Sequence, residues 1–264
     1  MRASHQLLFP AFLLLLAGCG IVPIYREAAP LPQRPYLLHF PGIAGDNPFD
    51  RAFLSALRDG GFDAEVHLCD WTVGRSHLAA LQDEAANRTE AAKIAQMIEK
   101  QRRAEPARPI YLTSESAGAG VAVWALELLP AGVQVDGVIL MAPAFSPDYD
   151  LSTALMHVRQ KMLVYHSKLD WFTLGIGTSV FGTLDRRNTQ AAGRVGFVRP
   201  PQADPVQYGK LEQVPFRGRW MWQYGHDGGH IGPLRPRFAS GHLALRLTSL
   251  ATQPASAPPE PAYP

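Results

Sequence analysis

The chain has 264 residues, of which 47% are hydrophobic and 18% charged, and its formal net charge is +2. A charge this close to balance gives no electrostatic case for nucleic acid as a partner. The length suits one α/β domain with short appendages, and two cysteines exclude a disulfide framework.

At the N-terminus, Arg2 precedes an apolar run from Leu7 to Ala17 that only Pro10 interrupts. A basic start, an apolar centre of about 10 residues and a small-residue exit describe a secretory signal. The run is too short for a membrane span, which needs about 20 apolar residues. Leu16-Ala17-Gly18-Cys19 resembles a bacterial lipobox, in which the cysteine becomes the lipidated first residue of the mature protein. The resemblance implies a signal peptide over residues 1–18 and acylation of Cys19, with palmitate among the acyl chains. The protein would then be anchored in the bacterial cell envelope facing the periplasm, and Gly20 beside the anchor favours the outer membrane. Cys69 is left without an intramolecular partner and is expected to be buried and unpaired. Residues 19–35, with Pro23, Pro30, Pro32 and Pro35, form an extended tether, and the proline-rich residues 251–264 a disordered tail.

Between them, residues 36–250 alternate strand and helix signals. Tyr36–Phe40 is a short apolar strand ended by Pro41-Gly42. Phe49–Arg58 places Phe49, Phe53, Leu54 and Leu57 on one helical face, and Gly60-Gly61 stops it. Phe62–Leu68 returns as a strand. Thr89–Arg103 is helical, with Ala92, Ala95, Met97 and Ile98 inward, and Ile110–Thr113 is the next strand. Val121–Leu129 reads as a helix, Val133–Met141 and Met162–His166 as strands, Arg219–Tyr224 as the last strand, and Phe238–Leu250 as a final helix. This alternation predicts a mostly parallel central sheet with helices on both faces and reactive groups at the carboxyl ends of its strands.

The strand Ile110–Thr113 stops at Ser114-Glu115-Ser116-Ala117-Gly118, and a helix begins at once. A serine among small residues at a tight strand-to-helix turn is the layout of a nucleophile elbow, with Ser114 in place of the usual first glycine. The competing reading is a polar turn in which Ser114 or Ser116 merely caps the helix. Serine catalysis further requires an acid and then a histidine, each placed after a later strand. Asp170 follows Met162–His166, and His230 follows Arg219–Tyr224 inside Gly228-Gly229-His230. With these residues in order, residues 36–250 resemble the α/β-hydrolase fold.

The resemblance implies that Ser116 attacks an acyl carbon, that His230 carries the proton and that Asp170 holds the imidazole. His226 rivals His230, and Asp148 and Asp150 rival Asp170. Oxyanion donors would be the backbone N–H groups of Ala117 and of Ile43, with Ala44 as the alternative in the loop after Pro41-Gly42. Glu115 either shapes the pocket or faces solvent, Trp71 either lines the acyl pocket or covers a core edge, and His39 is a strand-end residue. Trp171, Phe172, Leu174 and Phe181 open a long connection suited to a small cap and to carboxylic or lipid esters as substrate. His226-x-x-x-His230 has helical spacing, but its glycines oppose a helix, so neither a metal site nor a cofactor is expected. The expected protein is a serine hydrolase, its rival a catalytically silent, membrane-tethered binding protein on the same scaffold.

Overall fold

The computed structural model describes residues 33–170 and 183–252. The signal segment, Cys19, most of the tether, Trp171, Phe172, Leu174, Phe181 and the tail beyond Thr252 lie outside the described residues. Among the described residues there are six strands: β1 (Tyr36–Phe40), β2 (Glu65–Leu68), β3 (Ile110–Glu115), β4 (Val135–Met141), β5 (Val158–His166) and β6 (Leu211–Pro215). They form one sheet in the order β2-β1-β3-β4-β5-β6, parallel throughout. The helices are α1 (Pro48–Asp59), α2 (His77–Gln82), α3 (Glu84–Ala104), α4 (Gly118–Glu127) and α5 (Ser152–Met156). They continue with α6 (Ala192–Val195), α7 (Pro205–Tyr208), α8 (Arg219–Tyr224) and α9 (Ala244–Thr252).

Side chains of the central strands divide by parity, because successive residues of a strand point to opposite faces. Leu38, Phe40, Ile110, Leu112, Val138, Leu140, Met162 and Val164 pack with Ile94 and Ile98 of α3 and Val121–Leu126 of α4. Leu37, Tyr111, Ile139, Met141, Leu163 and Tyr165 pack with Phe53 and Leu57 of α1 and Leu247 and Leu250 of α9. Helices thus cover both faces, which is why the central strands read as nearly unbroken apolar runs.

At several points the structure departs from the sequence reading. Arg219–Tyr224 is helix α8, not a strand. Trp220, Trp222 and Tyr224 imitate an alternation, yet Trp220 is buried, Trp222 is 83% exposed, and Tyr224 packs one turn from Trp220. Left-handed Gly225 caps the helix. The last strand is β6, whose one buried residue, Val214, leaves no apolar alternation to read. His230 therefore follows a strand and a helix. Helix α3 begins at Glu84, where Asp83 accepts a hydrogen bond from the Ala86 N–H, and α2 precedes it. Ala251 and Thr252, expected in the tail, complete α9. The segment before α9 has a helical turn, Pro236–Phe238, and a π-helical turn, Ala239–Leu243.

Cys69 is a free thiol buried just beyond β2, and burial pushes its pKa up to about 12. Beyond the undescribed stretch, Leu184, Ala191, Ala192, Phe197, Ala203 and Tyr208 join the core on the α4 face. No helix among the described residues is long and apolar enough to cross a membrane.

Candidate active site

Strand β3 ends at Glu115, and Ser116 takes a left-handed backbone with φ of 54° before α4 begins. A non-glycine residue there costs about 1–3 kcal/mol, which surrounding contacts must offset. The Ser116 N–H donates to Met141 O at 2.9 Å, and its carbonyl accepts from the Ala144 N–H at 3.0 Å, so the end of β4 clamps the turn. Gly118 is needed where α4 starts, because a Cβ there would collide with the Pro41 and Phe40 carbonyl oxygens at the end of β1. A Cβ at Gly120 would stand 2.6 Å from Leu184 Cδ2 and 2.8 Å from Phe145. The small residues around Ser116 are thus set by close approach of the helix to its neighbours.

The loop after β1 lies beside this turn and is fixed from two sides. Trp71 is buried and donates its indole N–H to Pro41 O at 2.7 Å, so it is a core residue that pins the loop. His39, the β1 residue paired with Thr113, bonds Thr113 Oγ1 at 2.9 Å through Nδ1 and Asp50 Oδ1 at 2.8 Å through Nε2. Asp50 in turn accepts from Asn47, whose own oxygen caps α1. This buried network joins β1, β3 and α1 directly behind the loop. The N–H groups of Ile43 and Ala117 have no hydrogen-bond partner among the described residues.

After β5, Ser167 Oγ accepts from the Leu169 N–H at 3.2 Å and the Ser167 carbonyl from the Asp170 N–H at 3.1 Å. That turn delivers Asp170, 2% exposed, to His230, and the Nδ1–Oδ2 distance is 2.6 Å. The rival acids do not reach the site. Asp148 pairs with Arg187 at 3.0 Å, and Asp150 accepts from the Ser152 N–H at 2.9 Å. His226 is buried among Phe216, Trp220 and Phe238, where its Nδ1 accepts from the Gly228 N–H at 3.1 Å. Burial lowers its pKa to about 4, which keeps that nitrogen an acceptor. His226 shapes the turn that presents His230.

The other imidazole nitrogen meets a group the sequence left open. His230 Nε2 lies 2.9 Å from Glu115 Oε1, and Glu115 is only 7% exposed. Glu115 Oε2 stands against Gly42, where a Cβ would collide with it, and the same Cβ would be 3.4 Å from Ser116 Cβ. The carboxylate therefore fills the space bounded by Gly42, Ser116 and His230. Burial by itself would lower the His230 pKa, but hydrogen bonds and charge from Asp170 and Glu115 outweigh it and raise it to about 10. The raised pKa favours the protonated ring between the two acids at neutral pH. A charged residue inside an otherwise small and apolar run was the one sequence signal for this contact, since a buried carboxylate needs a partner.

The family model described as serine aminopeptidase, S33, matches residues 76–189, which include Ser116 and Asp170. A cutinase-like protein from Cryptococcus sp. superposes with a TM-score of 0.47 at 14% identity, covering 87% of this chain and all of that one. The type II thioesterase BorB from the borrelidin biosynthetic cluster superposes with a TM-score of 0.45 at 15% identity, covering 88% of this chain and 97% of that one. An acetylxylan esterase gives a TM-score of 0.43 at 9% identity, covering 83% and 97% of the two chains. No curated protein sequence matches the chain. The parallel sheet order and the left-handed serine between β3 and α4 are those of an α/β-hydrolase fold.

A pH dependence of stability follows from the His230 environment. Its pKa is raised from 6.5 to about 10 on folding, so its contribution to stability is complete below pH 6.5 and is lost as pH rises through 10. The urea midpoint of the wild type should fall between pH 7 and pH 10 more steeply than that of Glu115→Gln. Parallel curves for the two proteins would contradict the doubly paired imidazolium.

Proposed function

We propose that the protein is a serine hydrolase that cleaves a carboxylic or lipid ester through an acyl-enzyme. The observation that carries this reading is an Asp170–His230 pair of 2.6 Å in a fold whose parallel sheet also presents a left-handed Ser116 after β3. Ser116 Oγ attacks the acyl carbon while its proton passes to His230 Nε2, and the tetrahedral oxyanion accepts from the Ile43 and Ala117 N–H groups. Collapse returns the proton to the leaving alkoxide, and water, deprotonated by the same imidazole, then releases the acid. Asp170 holds the Nδ1–H tautomer through both halves. The chemistry needs no cofactor. Trp171, Phe172, Leu174 and Phe181 supply apolar residues next to Asp170 in the chain, which favours an apolar acyl group.

The contact of Glu115 with His230 favours a second reading, a silent binding protein on the same scaffold, because an imidazolium cannot accept the serine proton. Labelling by a fluorophosphonate separates the two. Ser116 of the folded wild type should take the label, with the rate examined up to pH 10, and Ser116→Ala should take none. Asp170→Asn should lower kcat on a short p-nitrophenyl ester by up to about 10⁴-fold, whereas Asp148→Asn should leave it unchanged. A folded protein that takes no label at any pH supports the silent scaffold.

For location, we propose that the chain is exported and held to the outer membrane by acyl groups on Cys19, on the strength of Leu16-Ala17-Gly18-Cys19. Each buried methylene contributes about 0.8 kcal/mol, so two or more acyl chains give a stable anchor. Mass spectrometry of protein from native membranes should find a mature chain that begins at acylated Cys19, and a soluble chain with unmodified Cys19 would refute the anchor.

A further inference from the structure

A buried ionisable group that the mechanism above does not use stands where the mechanism needs empty space. Glu115 is the residue before the nucleophile, and its carboxylate touches His230 Nε2 with one oxygen and Gly42 with the other. Ser116 requires the same nitrogen to lose its proton, and an acyl carbonyl requires the same volume beside Gly42 and Ser116. Both cannot be met while Glu115 stays. We propose that Glu115 is a positioning residue that holds His230 in a latent, ion-paired state, and that substrate must displace it before Ser116 can react. This rests on the serine-hydrolase reading.

The release step is a proton transfer with no other reagent. The Nε2 proton of His230 passes to Glu115 Oε1, which leaves a neutral imidazole and a neutral carboxyl group. The carboxyl group then withdraws from Gly42, and Nε2 accepts the Ser116 hydroxyl proton instead. An apolar acyl group entering the cleft favours this exchange, because excluding water makes an ion pair costlier than a neutral pair. Among the described residues, no other cation faces the two carboxylates at His230. Asp170 faces it from the β5 loop and Glu115 from β3, while residues 41–45 contribute no ionisable side chain. On its own loop, His226 is buried and neutral, and Asp227 pairs with Arg235 at 3.6 Å.

Two measurements on the full-length protein test the gate separately from the hydrolase reading. The first is the rate of fluorophosphonate labelling between pH 6 and pH 10 for wild type, Glu115→Gln and Glu115→Ala. Removing one carboxylate brings the imidazole back towards its ordinary range near 6.5, so at pH 7 the variants should label at least about tenfold faster than wild type. Their rates should also level off at a lower pH. The second is NMR titration of the His230 ring, which needs no catalysis and should show a lower pKa in Glu115→Gln than in wild type. Wild type that labels with an ordinary histidine profile, and variants no faster, would overturn the gate and leave the hydrolase intact. If no protein labels while the NMR pKa still falls in Glu115→Gln, the ion pair exists but the hydrolase reading fails and the gate falls with it.

Discussion

The imidazole of His230 is held from both sides, by Asp170 at 2.6 Å and by Glu115 at 2.9 Å, and the rest of the site is arranged around that double contact. A protonated ring between two carboxylates is stable in a buried cleft because each charge has a partner at hydrogen-bond distance. Both carboxylates raise the pKa of the ring against the lowering by burial, and the second ties its loop to β3 as well as to β5. The left-handed turn at Ser116 and the packing of Gly118 against β1 fix the serine at the head of α4, while Glu115 occupies His230 Nε2.

Such a cleft needs rigid walls, and the structure supplies them from behind. The His39–Asp50–Thr113 network ties β1 and β3 to the start of α1, and Trp71 anchors the Pro41 carbonyl from the β2 side. The loop that carries Ile43 is thus fixed at both ends and leaves Gly42 free to sit against Glu115. On the opposite side, the aromatic cluster of Phe216, Trp220, His226 and Phe238 fixes the turn before His230. The loop that carries His230 is held through His226, which packs on Trp220 of α8 and on Phe238 in the segment before α9.

The central strands were legible in the sequence because they are buried on both faces, so Ile110–Thr113 and Met162–His166 stand out as apolar runs. Ser116 and Asp170 drew attention because each follows the end of such a run, and His230 because the aromatics of α8 imitate a strand before it; the structure brings Asp170 and His230 into contact. Strand β6 was hidden because an edge strand with only Val214 buried has no periodic signal, while the alternating aromatics of α8 imitated one. The choice between Asp170 and Asp148 was also beyond sequence, since both follow strands and only the fold sends Asp148 to Arg187. Glu115 could not be assigned from local pattern, because its partner is 115 residues away and the contact exists only when β3 and the His230 loop meet at one sheet edge.

Under the proposed gate, Ser116 reacts by taking the place of Glu115 at His230. A crystal structure of the protein after reaction with a small fluorophosphonate tests that directly. Phosphorus should be bonded to Ser116 Oγ, with the phosphoryl oxygen accepting from the Ile43 and Ala117 N–H groups and the Glu115 carboxylate withdrawn from Nε2. An adduct on another residue, or an adduct on Ser116 with Glu115 still hydrogen-bonded to His230, would contradict it.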